Sequence, residues 1–207
     1  DLQLLMKYVF TLRQTKPSDV LDKVLEAYEP YMKSKFDDFP RRQNDLESLK
    51  QNIVKTSKKN GVVYILGNGG SISTANHISV DLLKNAKINS KSLYNDNLIT
   101  CFSNDYGYEN WMQKYLEYNA NNKDLIIFLS VSGESKNILK AAKFAKKKRI
   151  NFFSLTGFKK NNSLNRISKH KIWVNSNSYN KVEILHFSLL AIIVDMIIGK
   201  TIYKSNL

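Results

Sequence analysis

The chain has 207 residues, of which 43% are hydrophobic and 24% charged, and these proportions indicate one folded domain rather than a disordered chain. Its single cysteine, Cys101, excludes an intrachain disulfide and predicts a reducing, cytoplasmic setting. The net charge of +14 comes from 27 lysines and only 5 arginines. Because proteins that read nucleic acid usually rely on arginine, we expect anionic ligands but not nucleic acid.

The first 60 residues are predicted to be helical and charged. Apolar residues recur with helical spacing from Leu21 to Tyr28 and again from Leu46 to Val54. A break between two helices is expected near Pro40. We therefore predict an N-terminal helical extension over residues 1–44 and the main domain over residues 45–207.

From residue 61 onward, short apolar runs alternate with amphipathic stretches. Buried strands are predicted over 62–66, 98–102, 125–129, 152–155 and 172–174. Helices are predicted over 73–86, 107–120, 135–148 and 181–198. This alternation predicts an α/β fold with a mostly parallel sheet covered on both faces. The most apolar stretch, Ile184 to Gly199, is too short to cross a bilayer and is expected to be a buried helix, so no membrane contact is predicted.

Two loops rich in glycine and serine follow predicted strands and open predicted helices. The first, GNGGS at 67–71, lacks both the third glycine of a dinucleotide fingerprint and the lysine of a P-loop. Taken alone, it could bind an anion or simply be a tight strand-to-helix turn. The second, SVSGES at 130–135, places three hydroxyls beside the amides of a helix start, which predicts a phosphate site.

Four side chains are candidates for acid–base or metal chemistry. His77 and Asp81 are four residues apart on one predicted helix, and Glu183 and His186 are three apart on another, so each pair shares a helix face. Together they could form a metal site or an acid–base pair. The alternatives are a core position for His186 and a surface position for Asp81. Glu183 is harder to explain this way, because a carboxylate in an apolar stretch is costly unless it is paired or neutral.

Four motifs resemble those of SIS (sugar isomerase) domains, and in particular of phosphoheptose isomerases. They are GNGGS at 67–71, NDYGY at 104–108, SVSGES at 130–135 and SLTG at 154–157. The resemblance covers residues 45–200 and implies a flavodoxin-like three-layer fold with a five-stranded parallel sheet, preceded here by N-terminal helices. It also implies a homotetramer with sites shared between subunits. The implied reaction interconverts sedoheptulose 7-phosphate and an aldoheptose 7-phosphate for bacterial lipopolysaccharide or capsule.

The resemblance also implies which residues bind the substrate. The phosphate would be held by Ser130, Ser132 and Ser135. The sugar would be contacted by Asn68, Gly69, Ser71 and Asp105. Glu134 departs from the family pattern, where an asparagine is usual, and its carboxylate would repel phosphate unless it points away.

A zinc site is implied as well, with His77, Asp81 and Glu183 at three of the four ligand positions. Asp81 replaces a glutamate, Glu183 replaces a glutamine, and Ala191 occupies the position of a second histidine. Alanine can neither bind a metal nor move a proton, so this chain departs from the family at its catalytic centre.

We therefore favour a diverged sugar-phosphate isomerase over a non-catalytic protein. Its base would be Glu183 or Asp81, with His77 and His186 as partners. The alternatives are a regulatory protein that binds a sugar phosphate and a partner-binding protein similar to the replication-initiator-associated relative of these isomerases. The substitution at Ala191 supports the alternatives, whereas the retained serines and the Glu183/His186 pair support the enzyme.

Overall fold

The computed structural model describes residues 39–200, with seven helices and five strands in that range. The helices are α1 (Phe39–Lys58), α2 (Gly70–Lys84), α3 (Asp96–Tyr106), α4 (Trp111–Asn119), α5 (Lys136–Lys147), α6 (Ser163–Ile167) and α7 (Tyr179–Ile198). The strands are β1 (Val63–Leu66), β2 (Ser90–Ser92), β3 (Leu125–Ser130), β4 (Asn151–Thr156) and β5 (His170–Trp173).

The five strands form one sheet in the order β2-β1-β3-β4-β5, and every neighbouring pair is parallel. This is the strand order of flavodoxin-like folds, so the predicted fold class is confirmed. β1 and β3 are buried along their whole length, as expected for central strands covered on both faces.

Helices cover both faces of the sheet and create two separate hydrophobic clusters. Alternate residues of β3 point to opposite faces, so Leu125 and Ile127 join one cluster while Ile126 and Phe128 join the other. The first cluster is closed by α1, α2 and α7, and the second by α4, α5 and α6. The result is a three-layer domain.

The strand predicted over residues 98–102 is wrong, because these residues lie in helix α3. The Asn95 side chain caps this helix by accepting a hydrogen bond from the Leu98 N–H (3.2 Å), and Leu98, Ile99 and Phe102 pack with helical spacing on the second cluster. The edge strand beside β1 is instead β2, whose sequence Ser-Lys-Ser carries no apolar signal. An edge strand of three polar residues cannot be recognised from hydrophobicity.

Two of the predicted helices bury an apolar stripe. In α5 the buried stripe consists of Ile138, Ala141, Ala142 and Ala145. In α1 the predicted stripe places Leu46, Leu49 and Ile53 in the first cluster.

The predicted helix over Leu21–Tyr28 lies outside the described residues. α1 begins at Phe39, next to Pro40, and continues past residue 44, so the division of the chain between residues 44 and 45 stays a prediction. Within the described range, no helix is long and apolar enough to cross a bilayer.

Candidate active site

A pocket of about 350 Å³ lies beyond the carboxyl ends of β1 and β3, where the two glycine-serine loops meet. Its polar lining comes from Asn68, Ser71, Ser130, Ser132, Ser135 and Glu183. Gly69 and Gly70 add backbone to the wall, and Tyr179 contributes an aromatic edge. The position agrees with the general rule that ligands of open α/β sheets bind outside the carboxyl ends of the strands.

The first loop is shaped by its glycines and by one partly buried tyrosine. Gly69 has φ +54°, a conformation that favours glycine, and a Cβ on Gly67 would lie 2.5 Å from the Ser71 Cβ. The Tyr94 hydroxyl accepts a hydrogen bond from the Gly67 N–H (2.6 Å) and donates one to the Gly67 carbonyl. Burial raises the pKa of Tyr94, so its hydroxyl stays protonated and holds the loop at both backbone groups.

The second loop presents hydroxyls at the start of α5. Ser130 Oγ accepts a hydrogen bond from the Gly133 N–H (3.2 Å), and Ser132 Oγ accepts one from the Glu134 N–H (3.2 Å). Ser135 precedes α5, but its side chain makes no capping bond to the helix. Because Ser135 makes no capping bond and a side chain takes only the Ile138 N–H, the first amides of α5 can meet an anion in the pocket.

Glu134 does not face the pocket. Its Oε1 accepts a hydrogen bond from the Ser163 N–H (2.8 Å), at the first residue of α6. Hydrogen bonding to Ser163, with smaller effects of Arg166 and Lys159, holds the pKa of Glu134 below its ordinary value. The carboxylate that departs from the family pattern is therefore turned toward a helix start and leaves the phosphate loop free of negative charge.

Glu183 brings a carboxylate into the pocket from α7. A Cβ on Gly70 would lie 2.4 Å from Glu183 Oε2, so the carboxylate rests directly against the first residue of α2. A helix N-terminus favours a negative charge, and here no side chain caps it. Glu183 is only partly buried, so the carboxylate can meet a ligand.

His77 and Asp81 form a pair elsewhere on α2. His77 Nε2 lies 3.1 Å from Asp81 Oδ2, and Asp81 Oδ1 accepts a hydrogen bond from Asn85 Nδ2 (3.0 Å). The imidazole packs edge-on against Phe187 of α7, with ring centroids 5.1 Å apart. His77 is seven residues, or about 10 Å, along the helix from Gly70. The pair does not line the pocket that holds Glu183.

His186 lies in the core and not in the pocket. It is only 1% exposed, and neither ring nitrogen makes a hydrogen bond. Burial lowers the pKa of His186 to about 4. The nearby Thr156 backbone favours the protonated ring and opposes this shift only in part. The structure therefore does not bring His186 together with Glu183, although three residues separate them in the sequence.

Asp105 is also outside the pocket. It lies exposed near the end of α3, where its carboxylate accepts hydrogen bonds from Asn104 Nδ2 (3.0 Å) and Cys101 Sγ (3.7 Å).

The zinc site implied by the resemblance does not fit the donors of one subunit. Catalytic zinc takes three protein ligands. Among the side chains that the structure describes, no group of three or more His, Cys, Asp or Glu residues could hold a metal ion. His77 and Asp81 supply two donors, Glu183 lies in the separate pocket, and Ala191 supplies none.

Sequence reasoning missed Asn137, which joins the two loops. Asn68 Nδ2 donates to Asn137 Oδ1 (2.9 Å), and Asn137 Nδ2 donates to Asn68 Oδ1 (2.9 Å). Asn137 Oδ1 also accepts a hydrogen bond from the Ile138 N–H (3.0 Å), which fixes the orientation of its amide. No sequence signal could have identified this pair, because its members are 69 residues apart.

Comparisons with known proteins point to one family. The family model of the SIS domain matches residues 27–157. A phosphoheptose isomerase from Helicobacter pylori is 32% identical over 160 residues, which cover 73% of this chain and 83% of that protein. The structure of a phosphoheptose isomerase from Francisella tularensis superposes with a TM-score of 0.72 at 23% identity, covering 85% of this chain and 98% of that one. The structure of a phosphoheptose isomerase from Neisseria gonorrhoeae superposes with a TM-score of 0.70 at 21% identity, covering 74% of this chain and 85% of that one. At these identities the two structures show a shared fold.

Proposed function

Because the chain belongs to the phosphoheptose isomerase branch of the SIS domain family, we propose that it interconverts an aldose phosphate and a ketose phosphate. The substrate would be a heptose 7-phosphate or a related phosphosugar. What supports this proposal is that one pocket combines the three serine hydroxyls of the second loop with a carboxylate.

In the proposed complex, the phosphate binds Ser130, Ser132 and Ser135 and the uncapped amides at the start of α5. Hydroxyls and backbone amides are sufficient donors for a phosphate, so no cation is required. Asn68 and Ser71 would contact the sugar from the opposite loop, since both line the same pocket.

The proposed base is Glu183. Isomerisation requires that a proton leave the carbon beside the carbonyl and that a proton return to the neighbouring carbon. The Glu183 carboxylate would take the first proton, forming an enediol, and would give it back one carbon away, while a hydroxyl proton moves between the two oxygens. The positive end of helix α2 lies beside this carboxylate and attracts its negative charge.

The test is the substitution Glu183→Gln. It keeps the size and hydrogen-bonding capacity of the side chain but removes the base, so we expect turnover to fall at least a hundredfold while phosphosugar affinity changes less than threefold. The readouts are isomerisation rate and exchange of the proton beside the carbonyl with deuterated solvent.

Glu134→Gln is the matched control, because Glu134 lies in the second glycine-serine loop but its carboxylate points to Ser163 and not into the pocket. It should retain near-normal turnover. Equal loss in both variants, or full turnover in Glu183→Gln, contradicts the assignment.

We propose that a second copy of the chain covers the outer face of α2 and α7, in a homotetramer. In the described part of the chain, the exposed large aliphatic side chains are Val80, Leu83 and Ile184, and all three lie on these two helices. The His77–Asp81 pair lies on the same helix α2 as Val80 and Leu83. In such an assembly this pair would act in a site shared between subunits, where it would take the hydroxyl proton from one substrate oxygen and return it to the other.

The remaining expectations complete the proposal. The enzyme would work in the cytoplasm, in synthesis of lipopolysaccharide or capsule, with residues 1–44 as an N-terminal helical extension to the SIS domain. Asp105 would approach the sugar only through movement of α3 or from another subunit.

The second candidate is a non-catalytic protein that binds a phosphosugar. It rests on one observation, namely that Ala191 and the buried His186 leave fewer acid–base groups than the family uses. A ligand that raises the melting temperature without any solvent proton exchange would support this candidate over the isomerase.

A further inference from the structure

Almost all the net positive charge of the chain lies in one segment. Residues 135–182 contain 13 of the 32 lysine and arginine residues and none of the 18 aspartate and glutamate residues. The rest of the chain is nearly neutral, with 19 basic and 18 acidic residues. A chain-wide preference for lysine would not remove acidic residues from one segment, so the charge of this segment is a property of its own.

The fold gathers this charge on one face. α5 and α6 cover the same side of the sheet as α4, and α5 packs between the other two helices. Because α5 buries its apolar stripe, Lys143, Lys146 and Lys147 are exposed. Among the described residues, no large hydrophobic side chain is exposed on α5 or α6, so this face is polar and basic.

A groove of about 740 Å³ runs between α4 and α5 on this face. α5 contributes Lys140, Lys143 and Lys147 to the groove, Lys148 follows directly after the helix, and α4 contributes Gln113 and Glu117. Two of these charges are already paired, since Lys140 Nζ lies 2.6 Å from Glu109 Oε1 and Glu117 Oε2 lies 2.9 Å from Lys114 Nζ. In the part of the chain that the structure describes, no carboxylate pairs with Lys143 or Lys147. The groove therefore has unbalanced positive charge.

The shape of the groove limits what can enter it. The axes of packed helices lie about 8–10 Å apart, so a groove along the seam between two of them matches one extended chain and is too narrow for a DNA duplex or a flat bilayer. Single-stranded nucleic acid usually stacks its bases on aromatic side chains, but Phe144, the aromatic residue of this groove, is only 9% exposed.

The spacing of the lysines matches an extended polypeptide. Lys140, Lys143 and Lys147 follow one stripe of α5, where three and four residues correspond to rises of about 4.5 and 6 Å. Alternate side chains on one edge of an extended chain are about 6.6–6.8 Å apart. Carboxylates at alternate positions can therefore reach successive lysines with small adjustments of the long lysine side chains.

We propose that the groove between α4 and α5 is a docking surface for an extended polypeptide segment rich in aspartate and glutamate. The surface is separate from the phosphosugar pocket, and its recognition is mainly electrostatic. Binding should therefore weaken steeply as salt is raised.

The experiment measures fluorescence anisotropy of a labelled 12-residue peptide with glutamate at alternate positions, added to the full chain. Lys143→Gln/Lys147→Gln should weaken peptide binding at least tenfold. Lys55→Gln/Lys58→Gln, with the same change in net charge on exposed positions of α1 in the opposite layer, should weaken it less than twofold. Both double variants should keep their melting temperature, because all four side chains are exposed.

Three outcomes would overturn the proposal. The first is an equal loss in both variants, which would show a non-specific effect of net charge. The second is a peptide that does not bind at low salt. The third is tighter binding of a DNA duplex or of phosphatidylglycerol vesicles than of the peptide, with the same dependence on Lys143 and Lys147.

Discussion

At the residue scale, the site depends on two close approaches, that of Glu183 to Gly70 and that of Asn68 to Asn137. The first leaves no space for a side chain at position 70, and the second fixes the amide of Asn68 through a partner at the start of α5. Each can be tested by a substitution that leaves the surrounding fold unchanged.

The substitution Gly70→Ala should lower turnover at least tenfold. The new Cβ would lie 2.4 Å from Glu183 Oε2. The Glu183 carboxylate, at the end of a flexible side chain, would therefore have to move away from its present position. Because Gly70 begins α2 with ordinary helical backbone, alanine there should leave stability unchanged or raise it slightly. Turnover and melting temperature measured together check this. A variant with normal turnover would show that the position of the carboxylate is not critical.

The substitution Asn137→Asp should weaken phosphosugar binding at least tenfold, which corresponds to about 1.4 kcal/mol. The aspartate loses the donor to Asn68 Oδ1 and sets two acceptor oxygens against each other. In a double-mutant cycle, Asn68→Ala/Asn137→Asp should bind no more weakly than Asn68→Ala alone. Additive losses would instead mean that Asn137 acts independently of Asn68.

At the scale of elements, the pocket depends on how the serine loop is held against α6. Gly133 has φ +67°, and a Cβ there would lie 2.1 Å from Asn162 Oδ1, the buried atom that caps α6 by accepting from the Asn165 N–H. The loop, the cap and α6 therefore form one packed unit beside the phosphate site.

Gly133→Ala should accordingly destabilise the domain by about 2–4 kcal/mol, the sum of backbone strain and overpacking. Gly199→Ala is the control, because Gly199 has a similar φ of +74° but nothing within 4 Å of its Cβ position. It should cost only the strain, about 1–2 kcal/mol. Urea unfolding of both variants gives the comparison, and equal losses would contradict the packing argument.

The same scale shows which elements the sequence can predict. The central strands β1 and β3 and the amphipathic helix α5 are predictable, because burial on two faces or on one stripe leaves a distinct hydrophobic pattern. β2 is not predictable, because an edge strand of Ser-Lys-Ser has no such pattern. Residues 98–102 were predicted as a strand instead, because their apolar side chains resemble a buried strand although they pack from helix α3. In the site, the serines were predictable from their loop, whereas Asn137 and Tyr94 act through partners distant in sequence.

At the scale of the whole molecule, burial of His186 links stability to pH. The pKa of this group is about 4 when folded, against 6.5 for an ordinary histidine, so the unfolded chain binds more protons between these values. Above pH 6.5 this group therefore does not change the free energy of unfolding. As the pH falls from 6.5 toward 4, the free energy of unfolding decreases because protonation of His186 favours the unfolded chain.

His186→Leu should remove this loss. At pH 4.5 the natural chain should have lost about 2–3 kcal/mol of stability through His186, whereas the variant loses only what its carboxylates contribute. Since the ring nitrogens have no hydrogen-bond partner, the variant should be at least as stable as the natural chain at pH 7. Urea unfolding at both pH values checks this, and parallel losses in the two proteins would rule out His186 as the source.

The two loops that close the pocket follow β1 and β3, which are neighbours in the sheet although α2, β2, α3 and α4 come between them in the chain. A nascent chain released before β3 is made has only half of the phosphosugar cradle. Ligand binding therefore reports the long-range pairing of these strands directly, and a phosphosugar added during refolding would stabilise the completed domain without accelerating the steps that precede it.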